Sequence, residues 1–144
     1  MYRAVEASVP YLPEDRPRYV MGLGVMHQMA ECVARGVDMF DCVLPTRIAR
    51  HGTAITRHGN VAIKAAKWAK DLGPVEEGCE CYCCRNFSRS YVRHLLAAGE
   101  ILGVRLLTIH NVHRLLRFME EMRASIRDGR FDEWRAAVRA ETQG

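Results

Sequence analysis

The sequence predicts an α/β protein with a parallel sheet or barrel, and two observations carry that expectation. Tyr19-Val20-Met21-Gly22-Leu23-Gly24 and Met39-Phe40-Asp41-Cys42-Val43-Leu44 are short apolar runs of buried-strand type, and an amphipathic helical pattern lies between them. Strand, helix and strand joined by short connections form a βαβ unit, whose two strands pair in parallel. In such sheets functional side chains gather at the C-terminal ends of the strands.

Taken in order, Leu12-Pro13-Glu14-Asp15-Arg16-Pro17-Arg18 is proline-rich and reads as extended chain leading into the first strand. From Val25 to Arg35 the apolar residues Met26, Met29, Ala30 and Val33 follow helical spacing, and Gly36 is placed to stop the helix. The second strand is expected to end at Pro45, which cannot donate to a ladder. Thr53-Ala54-Ile55-Thr56 and Asn60-Val61-Ala62-Ile63 flank Arg57-His58-Gly59 and predict a small hairpin. Helices are expected over 87–98 and 111–127, the second stopped by Gly129, with a last short amphipathic helix from Phe131 to Arg139.

With 144 residues, of which 49% are hydrophobic, the chain has enough apolar material to bury a core as one domain. No run of about 18 apolar residues occurs and the first residues lack an apolar signal core, so a membrane span and secretion are not expected. The cytoplasm is the expected compartment, and its reducing conditions favour metal binding over disulfides. The net charge of +4 and the pI near 8.8 permit nucleic-acid binding without diagnosing it. The distribution says more, because Arg47, Arg50, His51, Arg57 and His58 fall in one short stretch.

Cys79, Cys81 and Cys84 form a Cys-x-Cys-x-x-Cys pattern, and His110 follows in a Leu-Thr-Ile-His-Asn context. Three thiolates from one tight loop and one later imidazole match what tetrahedral zinc requires. Disulfides explain the cluster poorly, since crosslinks between such close neighbours would be strained and would staple almost no loop. Cys83 could replace Cys84, and His113, one helical turn after His110, could replace it, so spacing alone leaves both choices open. A closed set of four ligands is structural. Asp41 is a carboxylate inside an apolar strand, where burial requires a partner or a function.

Together, Tyr19-Val20-Met21-Gly22-Leu23-Gly24, the run Gly36-Val37-Asp38-Met39-Phe40-Asp41-Cys42-Val43-Leu44-Pro45-Thr46-Arg47, and Cys79-x-Cys81-x-x-Cys84 with His110 resemble the bacterial tRNA-guanine transglycosylases, or queuine tRNA-ribosyltransferases. The resemblance runs from about Val5 to Arg139. It implies the carboxy-terminal part of a TIM barrel with an inserted zinc-binding subdomain and C-terminal helices. The expected division is barrel strands and helices in 1–75, the zinc-binding subdomain in 76–114 and the C-terminal helices in 115–144.

The implied activity exchanges the wobble-position guanine of tRNA for 7-aminomethyl-7-deazaguanine in queuosine biosynthesis. By resemblance Asp41 is the nucleophile that attacks ribose C1′ and holds the RNA covalently. By the same resemblance Met21 and Gly22 are expected to line the base pocket, and Thr46, Arg47 and Arg50 to contact the anticodon loop. The family also selects Cys79, Cys81, Cys84 and His110 as ligands of a structural zinc ion, leaving Cys83 and His113 outside, and implies a homodimer. Family members are more than twice as long, and the part expected to be missing supplies the second catalytic Asp, a general acid and base. The alternative expectation is an inactive zinc-stabilised RNA-binding or dimerisation fragment.

Overall fold

The computed structural model describes residues 1–143 and combines helices with short strands. The chain divides into two compact units, one formed by Met1–Leu44 with the described residues from Glu120 on, the other by Pro45–Met119.

In the first unit, β1 (Tyr19–Val20) and β2 (Met39–Phe40) pair in parallel, with Tyr19 opposite Met39 and Val20 opposite Phe40. Helix α2 (Met26–Val33) connects them and buries Met26, Met29, Ala30 and Cys32, so the predicted βαβ unit is present. Both strands are shorter than expected. After Val20 the backbone turns through Gly22 at a φ of +74°, a left-handed conformation that favours glycine. After Phe40 the chain leaves the ladder, and Leu44-Pro45 opens a helix instead of closing a strand; proline suits a first helical turn, where its missing N–H would have had no partner.

The expected burial of these strands is not observed. Tyr19 is 51% and Met21 77% exposed, because among the described residues β1 pairs only with β2 and a two-stranded sheet covers few side chains. Helix α1 (Tyr2–Ser8) was not predicted. Arg35 ties it down, bonding Glu6 at 2.8 Å and stacking over Tyr2, and partners some 30 residues away leave no local signal. The last helix, α7 (Phe131–Gln143), runs past the expected end at Arg139; Gly144, the end of the segment expected over 115–144, lies outside the described residues. Asp132 and Glu133 occupy its first turn, where negative charge suits the helix dipole.

The second unit holds α3 (Leu44–Arg50, from Pro45 on) and the predicted hairpin of β3 (Thr53–Thr56) and β4 (Gly59–Ala62), antiparallel with Thr56 opposite Gly59. Short α4 (Tyr82–Asn86) and then α5 (Arg89–Ala98) follow; Ser88 caps α5 by accepting the Tyr91 N–H, and Gly99 ends it. Helix α6 (Ile101–Arg127) starts ten residues before the expected Asn111. Gly103 allows this, because a Cβ there would lie 2.9 Å from Leu95 Cβ and 3.0 Å from the Leu96 nitrogen. The two helices therefore approach too closely for any larger residue. Ala49, Ala54, Ile63, Val92, Leu106, Leu107, Cys81 and Cys83 are part of the core of this unit. Among the described residues no helix is long and apolar enough to cross a membrane.

Candidate metal centre and active-site carboxylate

Cys81 is the N-cap of α4, and its Sγ accepts the Cys84 N–H at 3.3 Å. Cys79 precedes it in a turn closed by the Cys79 N–H to Glu76 carbonyl bond. His110 enters from α6, completely buried. The four ligand atoms lie within 4.8 Å of one another. His110 Nδ1 is 3.6 Å from the sulfurs of Cys79 and Cys81 and 3.4 Å from that of Cys84. A tetrahedral ion bonded at about 2.3 Å to sulfur and about 2.0 Å to nitrogen would separate N from S by about 3.5 Å. The donor set and its spacing therefore fit zinc, with all four positions filled by protein.

Electrostatics agree with the geometry. Burial lowers the pKa of His110, but hydrogen bonding to Cys79 and Cys81 and their negative charge outweigh it and raise it to about 9. The bond from the Cys84 thiol holds Cys81 well below the usual thiol range, while the same bond and burial push Cys84 up. One proton is thus shared by two sulfurs, and a cation can replace it. His110 Nε2 donates to the Ile55 carbonyl at 2.9 Å, so in the neutral imidazole that binds a metal Nδ1 is the unprotonated nitrogen, turned toward the sulfurs.

The two choices left open by spacing are settled by this packing. Cys83 is buried in the core, and burial pushes its thiol up to about 12, so it behaves as an apolar side chain. His113 is half-buried and outside the cluster. Two neighbours of the site had no signal in the sequence. Glu76 accepts the Arg57 N–H at 2.6 Å and places its other oxygen 3.9 Å from His110 Nε2; Asn111, next to the ligand, is fully buried among backbone groups.

In the first unit Asp41 lies just past β2, exposed instead of buried within a strand. Its Oδ1 accepts the Tyr19 hydroxyl at 2.6 Å and the Gly22 N–H at 3.2 Å. Among the described residues Oδ2 accepts no hydrogen bond. The Tyr19 hydroxyl, and after it the Gly22 N–H, hold the carboxyl below its ordinary range, so it is ionised at neutral pH. The parallel register makes this possible by setting the two strand ends side by side. Gly24 has a separate reason, since a Cβ there would lie 2.9 Å from Cys42 Cβ. Met21 stands exposed beside Gly22. In the second unit Thr46, Arg47 and Arg50 share the exposed face of α3, while Pro45 and Ala49 face inward.

The family model described as queuine tRNA-ribosyltransferase matches residues 1–144. The chain is 51% identical over 144 residues to the queuine tRNA-ribosyltransferase of Pelotomaculum thermopropionicum, covering 100% of this chain and 39% of that protein. It is 56% identical over 137 residues to that of Symbiobacterium thermophilum, covering 95% of this chain and 34% of the relative. The corresponding protein of Staphylococcus haemolyticus is 55% identical over 130 residues, covering 90% and 34%. The chain thus spans well under half the length of these relatives.

Proposed function

The chain belongs to the queuine tRNA-ribosyltransferase family, and we propose that it carries the nucleophile of a reaction that exchanges the wobble guanine of tRNA for 7-aminomethyl-7-deazaguanine. The observation that supports this most directly is the exposed, ionised Asp41 carboxylate, anchored through Oδ1, with no hydrogen bond to Oδ2 among the described residues. In the first step Asp41 Oδ2 bonds to ribose C1′ while the bond from C1′ to the guanine ring nitrogen breaks, its electron pair leaving with guanine. In the second the ring nitrogen of the incoming base bonds to C1′ and displaces the carboxylate. The proton that nitrogen gives up goes to the general acid and base expected from the family, which had protonated the departing guanine. Two inversions retain the configuration.

In the same reading β1 and β2 are strands of a TIM barrel, residues 76–114 are the metal-binding subdomain, and the protein works as a cytoplasmic homodimer. Met21 and Gly22 border the base, and Thr46, Arg47 and Arg50 meet the anticodon loop. Zinc held by Cys79, Cys81, Cys84 and His110 crosslinks a loop to a helix; it supplies folding free energy and activates no water. The test is a chimera in which this chain replaces the matching stretch of the Pelotomaculum thermopropionicum relative. Exchange of labelled guanine into tRNA supports the reading, and a folded, zinc-loaded chimera without exchange refutes it.

Two smaller effects follow in that chimera. Tyr19→Phe removes the first cause of the depressed Asp41 pKa. Attack requires the ionised form, present only above the carboxyl pKa, so a raised pKa moves the acid limb of the pH–rate profile to higher pH. An unmoved acid limb would show that Tyr19 does not control the nucleophile. Arg47→Lys keeps the charge but loses the planar fork, and binding of an anticodon stem-loop should weaken about tenfold at matched salt. Equal binding by the Lys variant would reduce the contact to simple charge attraction.

A further inference from the structure

The metal ligand His110 and its neighbour Asn111 both reach across to one residue of β3. His110 Nε2 donates to the Ile55 carbonyl at 2.9 Å, and Asn111 Oδ1 accepts the Ile55 N–H at 2.8 Å. The same Asn111 uses both amide protons, donating at 3.0 Å to the carbonyl of Thr53 and at 3.0 Å to that of Pro45. In an antiparallel strand alternate residues point their backbone groups away from the partner. Thr53 and Ile55 are such a pair, so the edge of β3 that turns away from β4 is held by two consecutive side chains of α6.

The Pro45 bond extends this contact to α3. Pro45 lies in the first turn of that helix, and its carbonyl is the only α3 atom that Asn111 holds among the bonds just described. Thr46, Arg47 and Arg50 stand on the opposite, exposed face of the same two turns. Asn111 is fully buried with both donors and its acceptor satisfied, an arrangement that a side chain filling space alone would not need.

We propose that Asn111 is a positioning residue that couples the metal centre to the basic face of α3, through Ile55, which it shares with His110, and through Pro45. A bound ion fixes the His110 ring, and the ring fixes Ile55. Asn111 then holds α3 in register with that strand, so occupancy of the metal site sets where Thr46, Arg47 and Arg50 stand. The coupling rests on the RNA reading of α3 only for its consequence, and it has a readout of its own.

That readout is hydrogen exchange of the 144-residue chain, zinc-loaded and after EDTA. In the unaltered chain, chelation should speed exchange of the α3 amides about tenfold or more, at the same EDTA concentration that releases the Cys79–Asn86 loop. Asn111→Asp keeps the acceptor for Ile55 but turns an oxygen toward the Pro45 and Thr53 carbonyls. With zinc content unchanged, it should speed α3 to near the chelated rate, leave α5 protected, and respond little further to EDTA at α3. A loss of packing alone would instead speed β3, β4 and α5 together. Zinc-loaded Asn111→Asp with parental α3 exchange overturns the coupling, as does an unaltered chain in which EDTA releases the cysteine loop but not α3; the second arm needs no variant to fold. Binding of anticodon stem-loop RNA separates the underlying reading. Arg47→Ala should weaken it in the parent and cost little more in Asn111→Asp. If Arg47→Ala has no effect in the parent, the RNA role of α3 is refuted, while the exchange data still decide the coupling.

Discussion

Cys81→Ala is expected to strip the metal from the chain and unfold the segment from Cys79 to Asn86, whereas Cys83→Ala keeps one zinc per chain. Helix α4 has five residues, too few to persist without tertiary support. Its N-cap is Cys81 itself, and besides the packing of Cys83 in the core its tie to α6 would be the metal held between Cys84 and His110. Structural zinc contributes about 10 kcal/mol or more in small peptides, comparable with the whole stability of a domain at about 5–15 kcal/mol. Losing one ligand should therefore remove most of the local order. His110→Ala should do the same and also leave the Ile55 carbonyl without its donor. Cys83 contributes only packing, so its truncation costs on the order of 1 kcal/mol. Elemental analysis with thermal unfolding checks this. Purified protein without zinc, or equal metal loss in the Cys81 and Cys83 variants, would sink the assignment.

In the chimera Asp41→Asn should abolish both guanine exchange and the adduct between protein and RNA that survives denaturation. Asparagine keeps the shape of the side chain and an oxygen for the Tyr19 hydroxyl, so the fold and the melting temperature should hold. It lacks the negative charge that attacks C1′. Removing a covalent nucleophile costs about 10,000-fold or more, which places residual exchange at background. An adduct that persists in the variant would assign the nucleophile to another residue.

Much of this was legible in the chain because the signals are local. The βαβ unit follows from apolar runs and a helical stripe within 26 residues (19–44), and the hairpin from four residues on either side of a short turn. The metal centre announced itself through three cysteines within six residues and one histidine. Strand length and burial were misjudged for a physical reason. An apolar run of six residues reads as a buried strand, yet Gly22 turns one run out of the ladder and the other gives way to a helix that begins at Leu44-Pro45.

What spacing left undecided was settled by side-chain direction. Cys81 and Cys84 lie three residues apart and face one point at the start of α4, while Cys83 between them is rotated into the core. Asp41 and Tyr19 are 22 residues apart, and only the parallel pairing of β1 with β2 brings carboxylate and hydroxyl to 2.6 Å. Asn111 lies 56 residues from Ile55 and 66 from Pro45. The sequence by itself determined the βαβ unit, the hairpin, the later helices and which ligands are available, but not α1, α3 or α4, since propensity, periodicity and donor chemistry act over a few residues. Tertiary structure alone decided which groups meet, because a buried amide or imidazole takes its partners from whatever backbone the packed fold sets beside it.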